Sequence, residues 1–157
     1  MVGVGSYVGY SSLAIGGLNF IGASANDLLV SNPQQNKVYL YSDPVIPIGA
    51  ANLTIKGANF FGSSGAPGRF RSASIDLVLG ENSAMATSAV WLFYARAGSF
   101  DNAAGLGFWQ SKISGPAVGS TGVFGSTVAT GDFDNDTRGD VAIADPSTNP
   151  GRVLVWH

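Results

Sequence analysis

Three stretches of the chain repeat one pattern, and that recurrence limits the fold more than any other feature. They read VGYSSLAIGGLNFIGASANDLLVSNPQQNKVYLYS, FGSSGAPGRFRSASIDLVLGENSAMATSAVWLFYA and FGSTVATGDFDNDTRGDVAIADPSTNPGRVLVWH. Each opens with an apolar or aromatic residue before Gly and passes through small residues to a Gly-led turn. Each then resumes at an Asp with an aliphatic run and closes on a segment with alternating aromatics. A unit of this kind cannot bury its apolar face alone, so neighbouring copies must stack. The anchoring glycines Gly16, Gly68 and Gly131 stand 52 and 63 residues apart, close to the period of propeller blades.

Strands are expected near 12–16, 27–31, 36–42, 75–80, 89–95, 127–131, 140–144 and 152–156. In KVYLYS, Val38 and Leu40 take one face and Tyr39 and Tyr41 the other, the period of a strand. ANLTIKG and LGFWQSKI supply fourth strands to the first two units. The third unit reaches His157 without its own, leaving an edge of the kind that natural sheets cover. The N-terminal VGVGS, another chain or a further stretch of polypeptide would have to cover it. Segment 81–90 has no 3.6-residue apolar stripe and reads as a loop, and 95–105 reads as a long connection. The expected architecture is all-β: one repeat domain over 1–157, with blade-like units at 5–57, 58–115 and 116–157, as a partial or oligomer-completed β-propeller.

Composition agrees with this class. Charged residues make up only 11% of the chain, and the 22 glycines suit tightly turned β structure, where φ > 0 is needed. The eight basic residues are dispersed and the net charge is −2, so nucleic acid, which needs a concentrated positive field, is excluded as a partner. No run of 18 apolar residues predicts a membrane span, and no basic-then-apolar leader is visible. Cysteine is absent, so thiols say nothing about compartment.

Five of the ten acidic residues fall between Asp132 and Asp145. In DFDNDTRGD, Asp132, Asp134, Asp136 and Asp140 occupy relative positions 1, 3, 5 and 9, and Arg138 at position 7 offers its backbone carbonyl. Carboxylates at alternate positions of a wrapped loop converge on one hard cation, and without it they repel. An EF-hand is excluded, because Thr137 stands where it needs Gly and Ile143 where it needs Glu. The corresponding turn of the second unit, GRFRSASID, carries Arg69 and Arg71 in place of the first two carboxylates and keeps Asp76; an Arg reaching Asp76 would hold it closed. The first unit keeps Asp27 but has Gly17, Asn19 and Ile21 in the early positions. One Ca²⁺ site in three units is therefore expected. Asp27, Asp76 and Asp140 share a structural role, each opening a strand where its carboxylate can fasten the turn.

These residues carry a family resemblance. FGSTVATGDFDNDTRGDVAIADP resembles the FG-GAP repeat of integrin α-subunit propellers and related extracellular or lectin-like propellers, through Phe124-Gly125, the acidic turn, the aliphatic strand and Asp145-Pro146. The first two units look like degenerate members, with Val8 at the Phe position of the first. The resemblance implies a calcium ion held by Asp132, Asp134, Asp136, Asp140 and the Arg138 carbonyl, and blades arranged radially. Three blades do not close a ring by themselves, for which four is the usual minimum.

Catalysis has no support. His157 is the only histidine, no Ser lies in a G-x-S-x-G elbow, Glu81 is the sole Glu, and the clustered Asp residues are committed to the cation. Arg138-Gly139-Asp140 spells an adhesion tripeptide, but its Asp is a calcium ligand. Asn52 and Asn135 head glycosylation sequons. Trp91, Phe93, Trp109 and Trp156 read as inter-blade packing, whereas Tyr39, Tyr41, Tyr94 and Phe108 could meet a sugar ring or a protein. The functional expectation is a non-enzymatic extracellular or cell-surface module for structure, adhesion or protein interaction, self-associating and stabilised by calcium. Its alternative is a carbohydrate-binding propeller.

Overall fold

The structure, a computed structural model, describes residues 15–18, 27–41, 50–51, 53–58, 60–71, 75–82, 88–94, 109–115, 123–147 and 149–157. The described strands are β1 (Ile15–Leu18), β2 (Asp27–Asn32), β3 (Lys37–Tyr41), β4 (Leu53–Lys56), β5 (Phe61–Gly68), β6 (Asp76–Glu81), β7 (Ala89–Phe93), β8 (Trp109–Ser114), β9 (Val128–Gly131), β10 (Asp140–Asp145) and β11 (Arg152–Trp156). They form three antiparallel sheets in the orders β1-β2-β3-β4, β5-β6-β7-β8 and β9-β10-β11. The fold is all-β, as the repeats require. ANLTIKG and LGFWQSKI do add fourth strands to the first two sheets, while the third has three among the described residues.

One strand was not anticipated. FGSSGAPG, built largely from Gly, Ser and Pro, is not among the expected strands, yet it forms β5 and pairs through Gly65 with Leu79, Ala66 with Val78 and Pro67 with Leu77. The missing N–H of Pro67 is tolerated because β5 is the edge of its sheet. Its small residues let it approach the third sheet closely. The Ser64 hydroxyl donates to the Gly125 carbonyl at 2.6 Å, and the Thr130 hydroxyl donates to the Pro67 carbonyl. The first strand is described over Ile15–Leu18, and residues 12–14 of the expected 12–16 lie outside the described residues. VGVGS and the 95–105 connection lie outside the described residues, as do 83–87 of the expected 81–90 loop.

The second sheet is buried on both faces, which explains why DLVLGE is a nearly unbroken apolar run instead of an alternating one. On one face Phe61, Leu77, Leu79 and Phe93 pack on Leu29, Val38, Leu40, Leu53 and Ile55 of the first sheet. On the other, Val78, Val90 and Leu92 pack on Phe124, Val128, Val141 and Ile143 of the third. The Phe61 and Phe93 rings meet edge-to-face at 6.2 Å.

The Phe-Gly pairs are the joints of this stack. Phe61 and Phe124 are each 1% exposed, inserted between consecutive sheets. Gly62 and Gly125 follow at φ of +80° and +74°, where a Cβ would stand 2.5 Å from Val38 Cγ2 and 2.7 Å from Val90 Cγ2. Left-handed backbone and close approach to the preceding sheet both demand glycine there. Val8-Gly9, the matching pair of the first unit, lies outside the described residues.

Sheet register sets which face of the third sheet each side chain of β11 takes. Val141 pairs with Trp156 and Ile143 with Leu154, placing Trp156 and Leu154 on the side facing the second sheet. Ala142 pairs with Val155 and Ala144 with Val153, so these four residues form the opposite face. All of β11 is exposed. At the far end of β10, Asp145 is fully buried and accepts from the Ser147 hydroxyl and from Arg152, whose Nη2 lies 2.9 Å away.

Candidate metal site

The acidic loop is a hairpin connection closed by the pairing of Gly131 with Asp140. Asn135 and Thr137 lie in the left-handed region, at φ of 62° and 73°. Asn tolerates this conformation; for β-branched Thr137 it is strained, and such strain concentrates at functional sites. The coil turns the loop's own amides onto its carboxylates. Asp136 N–H donates to Asp132 Oδ1 at 3.0 Å and to Asp134 Oδ1 at 3.1 Å, and Thr137 N–H to Asp132 Oδ2 at 2.9 Å. Arg138 N–H donates to Asp136 Oδ1 at 2.7 Å.

These bonds draw Asp132, Asp134 and Asp136 together, so that one carboxylate oxygen of each lies within 4.8 Å of the others. A second group of the same compactness joins Asp134, Asp140 and His157. Asp134 belongs to both groups and so links the acidic side chains singled out in the sequence. Three are exposed, while Asp140 is buried. Phe133 N–H donates to Asp140 Oδ2 at 2.7 Å and, with a smaller contribution from His157, holds that carboxyl below its usual range despite its burial. A crowded set of hard anionic oxygens at a solvent-open loop fits a divalent cation of the Ca²⁺ type.

His157 is the component that sequence spacing missed. Its Nδ1 lies 3.1 Å from Asp140 Oδ1 and 3.5 Å from Asp134 Oδ2. The signal was present in the strand register: pairing β11 antiparallel to β10 puts Trp156 opposite Val141, and the next residue must then stand beside Asp140.

The second unit shows what remains of this turn without the early carboxylates. Gly68 pairs with Asp76 as Gly131 does with Asp140, and Phe70 N–H donates to Asp76 Oδ2 at 3.0 Å as Phe133 does to Asp140. The closing Asp therefore fastens the turn by a backbone hydrogen bond in both units. Arg71 lies with its guanidinium 4.1 Å over the Tyr94 ring. Asp27 of the first unit also opens a strand and is 1% exposed, but the turn before it lies outside the described residues.

The two turns touch. Gly139 N–H donates to the Arg69 carbonyl, and a Cβ at Gly139 would stand 2.8 Å from that oxygen. The acidic loop of the third sheet is thus braced by the turn of the second.

Consecutive antiparallel sheets packed face to face, the second and third each entered through a buried Phe-Gly corner, are consistent with the blades of a partial β-propeller. The family model of the FG-GAP repeat matches residues 124–156, the third of the three units. The match spans the Phe124-Gly125 corner, the acidic loop and all three strands of the third sheet. No curated protein matches the chain.

Proposed function

We propose that the chain is a non-enzymatic extracellular interaction module in which one calcium ion, held by Asp132, Asp134, Asp136, Asp140 and the Arg138 carbonyl, fixes the joint between two blades. The single observation carrying this reading is the position of the acidic loop: its carboxylates converge, and its Gly139 amide is bonded to the neighbouring blade's turn. A cation there removes the mutual repulsion of the carboxylates and orders the loop that meets the second sheet. The aspartates hydrogen-bond to their own loop's amides, an arrangement suited to holding an ion.

Self-association follows from the faces at the two ends of the stack. The outer face of the third sheet is apolar, with Val153 66% and Val155 46% exposed beside Ala142 and Ala144. The outer face of the first sheet presents Leu28, Val30, Tyr39 and Tyr41, each half-buried. A second copy set head-to-tail would place one face on the other, in the same sheet-on-sheet manner as the internal joints. Such heterologous contacts close into rings when the rotation permits. Among the described residues no helix is long and apolar enough to cross a membrane.

Calorimetric titration of the full chain with calcium tests the first part: one equivalent bound with a rise in melting temperature supports it, and no heat of binding overturns it. Light scattering in calcium buffer tests the second: a discrete dimer or larger ring supports self-association, and a monodisperse monomer rejects it.

A further inference from the structure

The two joints inside the stack are closed in the same way, and the third sheet carries the same parts uncovered. β3 and β7 each lie between two strands, whereas β11 stands at the edge of its sheet. Pairing aligns the three: Val38 lies opposite Ser31, Val90 opposite Gly80 and Val153 opposite Ala144, and these partners stand at one and the same step after Asp27, Asp76 and Asp140. Val153 therefore corresponds to Val38 and Val90, Val155 to Leu40 and Leu92, and Gly151 to Asn36 and Ser88. The equivalents Val38, Leu40 and Val90 are 0% exposed and Leu92 is 2%, against 66% for Val153 and 46% for Val155.

The cover used inside the chain is specific. β4 lies on β3 with Ile55 opposite Val38, and β8 lies on β7 with Ile113 opposite Val90. Just beyond each Ile, Gly57 N–H donates to the Asn36 carbonyl and Gly115 N–H to the Ser88 carbonyl, both at 2.9 Å. A Phe ring then seats on each glycine: a Cβ on Gly57 would run into Phe61, and one on Gly115 into Phe124. Gly62 and Gly125, next to those rings, press on Val38 and Val90. Among the described residues no strand covers the outer edge of β11, and an uncovered edge is a template for pairing. We infer that this edge is a strand-addition site for an extended segment of a partner polypeptide reading Ile-x-Gly and then Phe-Gly. Its Ile lies opposite Val153, its first Gly donates to the Gly151 carbonyl, and its Phe-Gly corner closes over Val153 and Val155. Main-chain hydrogen bonds give such additions their affinity, and side chains at alternate positions give selectivity. The site rests on neither calcium nor head-to-tail packing, so it stands apart from the function proposed above.

The probe is a blocked peptide of the chain's own residues 51–62, ANLTIKGANFFG, titrated into the isotope-labelled full chain. NMR follows the backbone amides of 151–156 and their hydrogen exchange. Saturable shifts centred on β11, with its edge amides slowed by about tenfold or more, support the inference. Aspartate at the Ile position of the peptide, or sarcosine, which lacks the N–H, at its first Gly, should each weaken binding by about tenfold. Val153→Asp in the chain should do the same; its melting temperature checks that it folds, and the two altered peptides carry the test on the natural chain if it does not. Equal binding of the aspartate peptide overturns the inference. So do shifts centred on β3, which would mean that the peptide displaces β4, and β11 amides already protected before any peptide is added, which would mean that the chain covers this edge itself. Light scattering on the same samples keeps self-association separate: peptide binding to a monomer supports the inference although self-association fails, and assembly without a peptide response sinks this inference alone.

Discussion

The Gly139 N–H donates to the Arg69 carbonyl at 2.7 Å, tying the acidic loop of the third sheet to the turn of the second. The approach is close because position 139 has no side chain; a Cβ would lie 2.8 Å from the Arg69 oxygen and 3.0 Å from its nitrogen. Backbone on both sides leaves nothing flexible to yield. Gly139→Ala is therefore expected to cost about 1–3 kcal/mol, the range for overpacking a tight site. It should also weaken calcium binding, because the loop must shift. Urea denaturation and a calcium titration of the variant check the two effects together.

The Phe-Gly corners carry more of the stability. Phe124 is 1% exposed within the cluster joining the second and third sheets, and its removal leaves a cavity between them. Phe124→Ala should cost about 3–5 kcal/mol. Phe61→Ala, at the equivalent joint, should cost a similar amount. A loss below about 1 kcal/mol at either position, read from urea midpoints, would mean that the joint does not depend on these rings.

Much of this arrangement was legible from residues alone. Asp132, Asp134, Asp136 and Asp140 stood out because alternate spacing in a turn is a chemical pattern, and the loop does gather them. The sandwiched second sheet was less visible, since an unbroken run such as DLVLGE does not say whether one or both faces are covered. FGSSGAPG was hidden for a different reason. Its small residues serve close approach to Gly125 and Thr130 in the next sheet, a tertiary requirement that overrides strand propensity. His157 was missed because its neighbours are set by pairing across a hairpin rather than by spacing along the chain.

Acid should attack the far end of β10. The Ser147 hydroxyl first, and Arg152 with it, hold the Asp145 carboxyl below its ordinary value of 3.8, against the opposing effect of burial. A depressed folded pKa means the stabilisation is fully present above 3.8 and is lost as pH falls below it, through the lower folded value. Asp145→Asn should remove this acid-dependent term and lower stability at neutral pH by about 1–3 kcal/mol. The lower end is expected, because the Arg152 side chain is 46% exposed and screened by solvent. Urea midpoints of both proteins, followed from neutral pH to below 3.8, should converge on the acid side.

Asp76 and Asp134 separate turn-fastening from metal binding. Asp76 is buried and accepts from Phe70 N–H, in a turn whose early positions are Arg69 and Arg71. Asp134 is exposed and sits where both carboxylate groups of the acidic loop overlap. Asp76→Ala should therefore lower stability by about 1–3 kcal/mol, the cost of orphaning a buried hydrogen-bond partner, and leave calcium affinity unchanged. Asp134→Ala should do the reverse: calcium affinity falls by about two orders of magnitude as a shared carboxylate is lost, while stability in chelator is unchanged or slightly raised by relief of repulsion. Melting curves with calcium and with chelator, run on both variants, resolve the two roles. The wild-type chain should show a calcium-dependent gain that Asp76→Ala retains and Asp134→Ala loses, following the linkage of binding to stability.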